Sequence, residues 1–298
     1  MKPPFLQTGD TVALLSPGKK VTTDTVAKAQ RWIENCGWNV RVAHSVYSTA
    51  HSYHSGHNAE RLSDLQMFLD DPEIKAIICL RGGYGTTPLL DQLRWDGMKA
   101  APKWIVGFSD ITALHLQLHR LNTESIHGIM PIQFEEEGQG AAMNHLQRLL
   151  AGHETGLQWK TGMNSRAGEA TGQLVGGNLS LIADSLATSN ELHTFGKILF
   201  VEEVDEPLYK IDRMFTQLKR AKKLDKITGL VAGHFTAVTD AAQFGETLEQ
   251  IVLSKVNAPI PVAFGCPSGH AAPNFSWIHG APVRLRVADD TCTITYLD

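Results

Sequence analysis

Along the first 150 residues, short apolar runs alternate with stretches in which apolar residues recur every three or four positions, the pattern of strands joined by amphipathic helices. Thr11-Val12-Ala13-Leu14-Leu15 reads as a first strand that stops at Ser16-Pro17-Gly18. A helix then starts at Thr23-Asp24, carries Val26, Ala29, Trp32 and Ile33 on one face, and stops at Gly37. Residues 39–42 form a second strand, and residues 58–69 a helix with Leu62, Leu65, Phe68 and Leu69 aligned. Residues 76–80 have no polar side chain at all, as expected of a central strand of a parallel sheet covered on both faces. A further strand, Trp104-Ile105-Val106, follows after one intervening helix and runs into Gly107-Phe108-Ser109-Asp110, where another helix begins.

The second half is mixed and less regular. Residues 151–170 hold Gly152, Gly156, Gly162, Asn164 and Gly168 with little periodicity and read as a linker. Strands are expected at 197–201 and 227–231, and helices at 208–220 and 246–255. Two alternating runs, 283–287 and 292–296, flank Ala288-Asp289-Asp290-Thr291 and predict a hairpin. The expected fold is therefore α/β: an N-terminal Rossmann/flavodoxin-like parallel-sheet domain over 1–160, and a smaller C-terminal mixed α/β domain over 161–298 ending in a β-hairpin.

Composition narrows the function classes. The net charge of −4 provides no basic field for nucleic acid, and the Lys219, Arg220, Lys222, Lys223 cluster reads as a helix end facing water. The four cysteines, Cys36, Cys79, Cys266 and Cys292, form no C-x-x-C pair, which fits a reducing compartment and predicts neither a zinc ribbon nor a disulfide framework. The N-terminus lacks the pattern of a secretory signal, and no segment approaches a membrane span, so a cytoplasmic protein is expected. Neither Arg81-Gly82-Gly83-Tyr84-Gly85 nor Ser16-Pro17-Gly18-Lys19-Lys20 matches a phosphate-binding loop, so no nucleotide cofactor is expected. His115 and His119 are four apart, but Leu116 follows His115 where H-E-x-x-H needs Glu, so no metal is expected either.

The candidate chemistry centres on Ser109. A strand that turns abruptly into a helix exposes a serine hydroxyl and aims the next amide, that of Asp110, toward a developing oxyanion. G-x-S-x-G is incomplete, because Ile111 occupies the last position, and Ser109 reads equally as a helix N-cap. Gly82 and Gly83 follow a buried strand, where they would supply a second oxyanion amide or simply a tight turn. His270, in the turn-rich loop 265–274, is the most attractive of thirteen histidines for a base. Glu202-Glu203 ends a strand, and because side chains alternate, only one of the two faces the active side.

Five ordered blocks together resemble the LD-carboxypeptidases, serine peptidases of the murein tetrapeptide carboxypeptidase type: Arg81-Gly82-Gly83-Tyr84-Gly85, Gly107-Phe108-Ser109-Asp110, Gly176-Gly177-Asn178-Leu179, Phe200-Val201-Glu202-Glu203-Val204 followed by Tyr209 to Leu218 with Asp212-Arg213, and Gly269-His270 with Asn274. The resemblance spans nearly the whole chain. It implies a catalytic triad of Ser109, Glu202 and His270 split between domains, and an oxyanion hole from the Asp110 amide and an amide of the Gly82-Gly83 turn. It also implies release of terminal D-Ala from muropeptides bearing L-Lys or meso-diaminopimelate, and a homodimer. A carboxypeptidase must bind a terminal carboxylate, for which Arg81, Lys210 and Arg213 are the candidates. Residues 271–279 are more aromatic than the family's usual run, and Trp277 or Phe275 would suit the nucleobase platform of a self-immunity peptidase that cleaves peptidyl-nucleotide antibiotics. A small-molecule binding protein that kept the fold without the chemistry is the third reading.

Overall fold

The computed structural model describes residues 1–256 and 259–297. Two sheets organise it. The first has six strands in the order Trp277–His279, Ser125–His127, Trp104–Gly107, Ile74–Cys79, Thr11–Leu15 and Asn39–Val42. All neighbours are parallel except the antiparallel pair of Trp277–His279 with Ser125–His127. The apolar strands at 11–15, 74–79 and 104–107 lie side by side at its centre, because side chains apolar on both faces are accommodated only between helical layers. Helices Thr23–Asn35, Asn58–Asp70 and Thr112–Arg120 lie within about a turn of the expected positions. The single helix expected between the third and fourth strands is instead two short pieces, a 3-10 turn at Thr87–Gln92 and a helix at Asp96–Ala100.

The second sheet has seven strands in the order Val262–Ala263, Gly229–Thr236, Ile198–Val204, Gly168–Asn178, Pro282–Val287, Thr291–Tyr296 and Gly156–Lys160. It is parallel on one side of the long strand Gly168–Asn178 and antiparallel on the other. The predicted hairpin is present, and helix Leu208–Arg220 has the expected bounds. The stretch read as a linker corrects the sequence reading: Gly156–Lys160 is the edge strand of this sheet, with Leu157 and Trp159 buried. Its glycines hid a strand whose inward positions are only two residues. Conversely, Trp277–His279, late in the chain, crosses to the first sheet. This strand laces the two sheets together.

Candidate active site

Ser109 stands where the strand Trp104–Gly107 ends, at the first residue of a 3-10 turn that leads into helix Thr112–Arg120. Its φ of 61° is in the left-handed region, which a non-glycine residue occupies at a cost that tertiary contacts must offset. Those contacts come from the neighbouring loops. Asp110 is buried, and its carboxylate accepts hydrogen bonds from the Thr86 amide at 3.0 Å and the Thr86 hydroxyl at 2.6 Å. Burial pushes the Asp110 carboxyl up, against these hydrogen bonds and the charge of Arg61. Arg61 is itself buried and donates to the carbonyls of Pro17 and Gly85, tying together two loops at the carboxyl ends of their strands. That edge of an open parallel sheet is where ligands bind.

Gly82 lies against the serine corner. A Cβ at Gly82 would come within 3.2 Å of both the Asp110 nitrogen and the Ser109 Cβ. The absence of a side chain therefore brings the Gly82-Gly83 backbone beside the serine and the Asp110 amide. The Lys19 amide donates to the Gly82 carbonyl at 3.0 Å, which fixes the turn, and Gly83 has a φ of 96°.

Glu202 comes from the strand Ile198–Val204 of the second sheet, and His270 from the loop between Val262–Ala263 and Trp277–His279. Glu202 is fully buried, and its Oε2 lies 2.6 Å from His270 Nδ1. The His270 ring packs on Phe108, the residue before Ser109, with centroids 4.6 Å apart. Burial pulls the His270 imidazole down, but the charge and hydrogen bond of Glu202 outweigh it and raise its pKa. Glu203 faces the other way: it accepts hydrogen bonds from Asn178 Nδ2 and the Ser180 and Val204 amides, at 2.8, 2.8 and 2.9 Å. Burial nevertheless raises its pKa. The alternation expected of the pair thus separates a carboxylate that meets an imidazole from one that fastens a turn.

Asn274 and Asn178 belong to the blocks read from the sequence, whereas the residues they meet, Gln133, Gln139 and Thr112, carried no sequence signal. Asn274 accepts the Gly269 amide at 2.9 Å, its own amide donates to Gln139 Oε1 at 2.9 Å, and its Nδ2 donates to Gln133 Oε1 at 3.0 Å. Gln133, Gln139 and Asn274 are all buried, so the His270 loop is pinned to residues more than 130 positions earlier in the chain. Thr112, one turn after Ser109, accepts the Asn178 amide at 3.0 Å. Gln and Thr in such places look like any polar helix-end residue until the two sheets are brought together.

Among the candidate carboxylate binders, Arg81 lines a cleft of about 400 Å³ with Lys19, Lys20, Ser52 and Tyr53, directly beside the Gly82-Gly83 turn. Lys210 is ion-paired with Glu206 at 3.1 Å, and Arg213 is exposed on the same helix, its guanidinium over the Tyr209 ring at 5.2 Å. The Lys219–Lys223 cluster is only partly the water-facing helix end expected, since Lys223 is largely buried and paired with Glu191. Trp277 does not form an accessible aromatic platform: it is wholly buried, stacked on His127 at 4.9 Å and tilted against Phe200 at 4.8 Å. His115 is buried and bonded through its two ring nitrogens to Ser125 Oγ and the Gly107 carbonyl, both at 2.8 Å. Among the described residues there is no group of three or more His, Cys, Asp or Glu side chains arranged to hold a metal ion, and no helix long and apolar enough to cross a membrane.

Two family models match the chain: the LD-carboxypeptidase N-terminal domain over residues 12–128 and the LD-carboxypeptidase C-terminal domain over residues 171–285. The chain is 34% identical to the murein tetrapeptide carboxypeptidase of Pseudomonas aeruginosa, over 92% of each chain. It is 30% identical to a probable murein peptide carboxypeptidase of Bacillus subtilis, over 98% of this chain and 94% of that one. The crystal structure of a muramoyltetrapeptide carboxypeptidase from Oxalobacter formigenes superposes with a TM-score of 0.86 at 26% identity, covering 97% of this chain and 99% of that one.

Proposed function

Because the chain belongs to the LD-carboxypeptidase family, we propose that it is a serine carboxypeptidase that hydrolyses the amide between the L-centre of L-Lys or meso-diaminopimelate and the terminal D-Ala of murein tetrapeptides. The observation that carries this reading is the buried Glu202–His270 pair at 2.6 Å, set against Phe108 at the serine corner. Glu202 accepts the Nδ1–H of His270, which leaves Nε2 as the base and stabilises the imidazolium once it forms. His270 takes the Ser109 proton, Ser109 Oγ attacks the carbonyl carbon, and the tetrahedral oxyanion is held by the Asp110 amide and an amide of the Gly82-Gly83 turn. The imidazolium then protonates the leaving amine of D-Ala. An acyl-enzyme remains, which water, deprotonated by His270, hydrolyses to the tripeptide.

Arg81 is the best placed of the three cations for the terminal carboxylate, since it borders a cleft beside the Gly82-Gly83 turn, while Lys210 already has a carboxylate partner. The peptidyl-nucleotide reading loses Trp277, which is buried, as its platform, and keeps only Phe275, which is half-buried and edge-on to His145 with centroids 5.3 Å apart. Four free cysteines, three of them buried, support work in a reducing cytoplasm on peptides released by peptidoglycan turnover. The homodimer expected from the family resemblance belongs to the same proposal, and light scattering of the purified protein tests it.

The decisive experiment incubates wild-type protein and Ser109→Ala with L-Ala-D-Glu-meso-diaminopimelate-D-Ala and follows tripeptide and free D-Ala by mass spectrometry. Release by wild type alone is expected. Equal release by Ser109→Ala would overturn the serine mechanism, and no release by either would overturn the substrate.

A further inference from the structure

The strands Ile198–Val204 and Gly229–Thr236 run in register except at one point. Val201 pairs with Ala232 and Glu203 with Phe235, so Gly233 and His234 together stand opposite Glu202. Such a bulge places one residue more on one strand than on the other and re-aims a side chain, and bulges concentrate next to active sites. Here the residue re-aimed is His234. Its amide leaves the ladder and donates to Ser268 O at 2.8 Å, in the loop that carries His270.

A Cβ built on Gly269 would lie 3.0 Å from Glu202 Oε2, 3.1 Å from Glu202 Cβ and 3.2 Å from His234 Cβ. The glutamate and the second histidine are thus close neighbours, within reach of one side-chain hydrogen bond. Each also has an idle polar atom. Glu202 Oε2 is taken by His270, but Oε1 is buried with no hydrogen-bond partner, and so is His234 Nδ1. A buried carboxylate oxygen and a buried imidazole nitrogen each carry a desolvation cost that a bond between them would remove.

Resting on the assignment of Glu202 as the carboxylate that orients His270, we propose that His234 is a positioning residue of the same site, whose Nδ1–H donates to Glu202 Oε1 in the working enzyme and locks the carboxylate in the rotamer that receives His270. The carboxylate then has an imidazole on each oxygen: His270 performs proton transfer, and His234 holds Glu202 still. The charged and titratable groups acting on His234 are Glu202 and His270. Burial lowers its pKa, the Glu202 charge opposes this, and His270 reinforces it, so His234 is a neutral donor at neutral pH. Protonated, it would draw the carboxylate's charge away from His270.

The test uses the full-length protein with labelled histidines and two variants. His234→Phe removes the donor and keeps an aromatic ring, while His234→Asn keeps an N–H near the Nδ1 position. For His234→Phe we expect kcat on the tetrapeptide to fall about tenfold to a hundredfold with KM within twofold, as small misplacements of a catalytic group do. The His270 titration, followed by NMR in the free protein, should move upward, because Glu202 then reserves its charge for His270. His234→Asn should recover most of both effects. A His270 titration and kcat unchanged in His234→Phe would overturn the proposal, and so would equal impairment of both variants, which marks a packing role. If wild type releases no D-Ala, the functional reading fails, yet the NMR titration still decides the contact between His234 and Glu202.

Discussion

Glu202 Oε2 and His270 Nδ1 lie 2.6 Å apart across 68 residues of sequence, one fully buried at the end of a strand and the other at the mouth of a loop. The adjacent Glu203 instead accepts hydrogen bonds from Asn178 and Ser180 and ties down their turn. The two glutamates should therefore fail differently. Glu202→Gln is expected to lower kcat about 10⁴-fold with little change in Tm, as when the orienting carboxylate of a serine triad is replaced. Glu203→Gln is expected to cost about 1–3 kcal/mol of stability, since a buried acceptor of three hydrogen bonds becomes partly mismatched, while most of kcat remains. Thermal melts and steady-state kinetics on the same samples separate the two; a larger kcat loss in Glu203→Gln would reverse the assignment.

Ser109→Ala and His270→Ala should each reduce D-Ala release to the residual level that substrate binding and the oxyanion amides support, with circular dichroism unchanged. Turnover in His270→Ala near that of wild type would require another base.

Gly82 has no room to spare. Gly82→Ala would press a methyl group against Ser109 Cβ and the Asp110 nitrogen at 3.2 Å, so the Asp110 amide or the serine must shift by a few tenths of an ångström. Loss of one oxyanion donor lowers kcat by about 10²–10³, and we expect Gly82→Ala to approach the lower figure with KM little affected. A kcat within twofold of wild type would remove the Gly82-Gly83 turn from the oxyanion hole.

Arg81→Gln should raise KM for the tetrapeptide at least about tenfold, the cost of roughly one charge-assisted hydrogen bond. Lys210→Gln and Arg213→Gln should leave KM within twofold. An unaltered KM in Arg81→Gln would move the carboxylate site elsewhere.

Acid should destabilise the fold through its buried histidines. Between the two sheets lie His115, His127 and His279, all fully buried, with His119 beside them. Burial lowers all four: His115 and His119 to about 4, and His127 and His279 well below their ordinary range. In the unfolded chain these imidazoles bind protons from about pH 6.5 downward. The unfolded state therefore takes up more protons between about pH 6.5 and 4, and stability present above that window is lost as pH falls through it. His270 acts in the opposite sense, because its raised pKa stabilises the fold at low pH and the gain is lost as pH rises through it. The raised carboxyls of Asp110 and Glu203 act in the same sense as His270, but His145 and His234 are lowered along with the other four histidines, so the lowered groups outnumber the raised ones and Tm should drop from about pH 6.5 to 4. A flat Tm profile there would mean that the histidines are hydrated in solution.

Local rules sufficed for the parallel strands at 11–15, 74–79 and 104–107, for helix Leu208–Arg220 and for the terminal hairpin, because hydrophobic period and turn residues are properties of neighbouring positions. The identities of Ser109, Glu202 and His270 as candidates were equally visible, as residue types at strand ends within ordered blocks. Other features could come only from tertiary structure. Gly156–Lys160 reads as linker because an edge strand buries just Leu157 and Trp159, and only its partner Thr291–Tyr296 makes that alternation a strand. The aromatic run at 275–279 reads as a binding surface until Trp277–His279 crosses to the first sheet and buries Trp277. The contacts of Asn274 with Gln133 and Gln139, the divergent directions of Glu202 and Glu203, and the bulge that turns His234 toward Glu202 depend on register and on the packing of sheet against sheet. Those are relations between residues distant in the chain, and local composition and periodicity do not encode them one at a time.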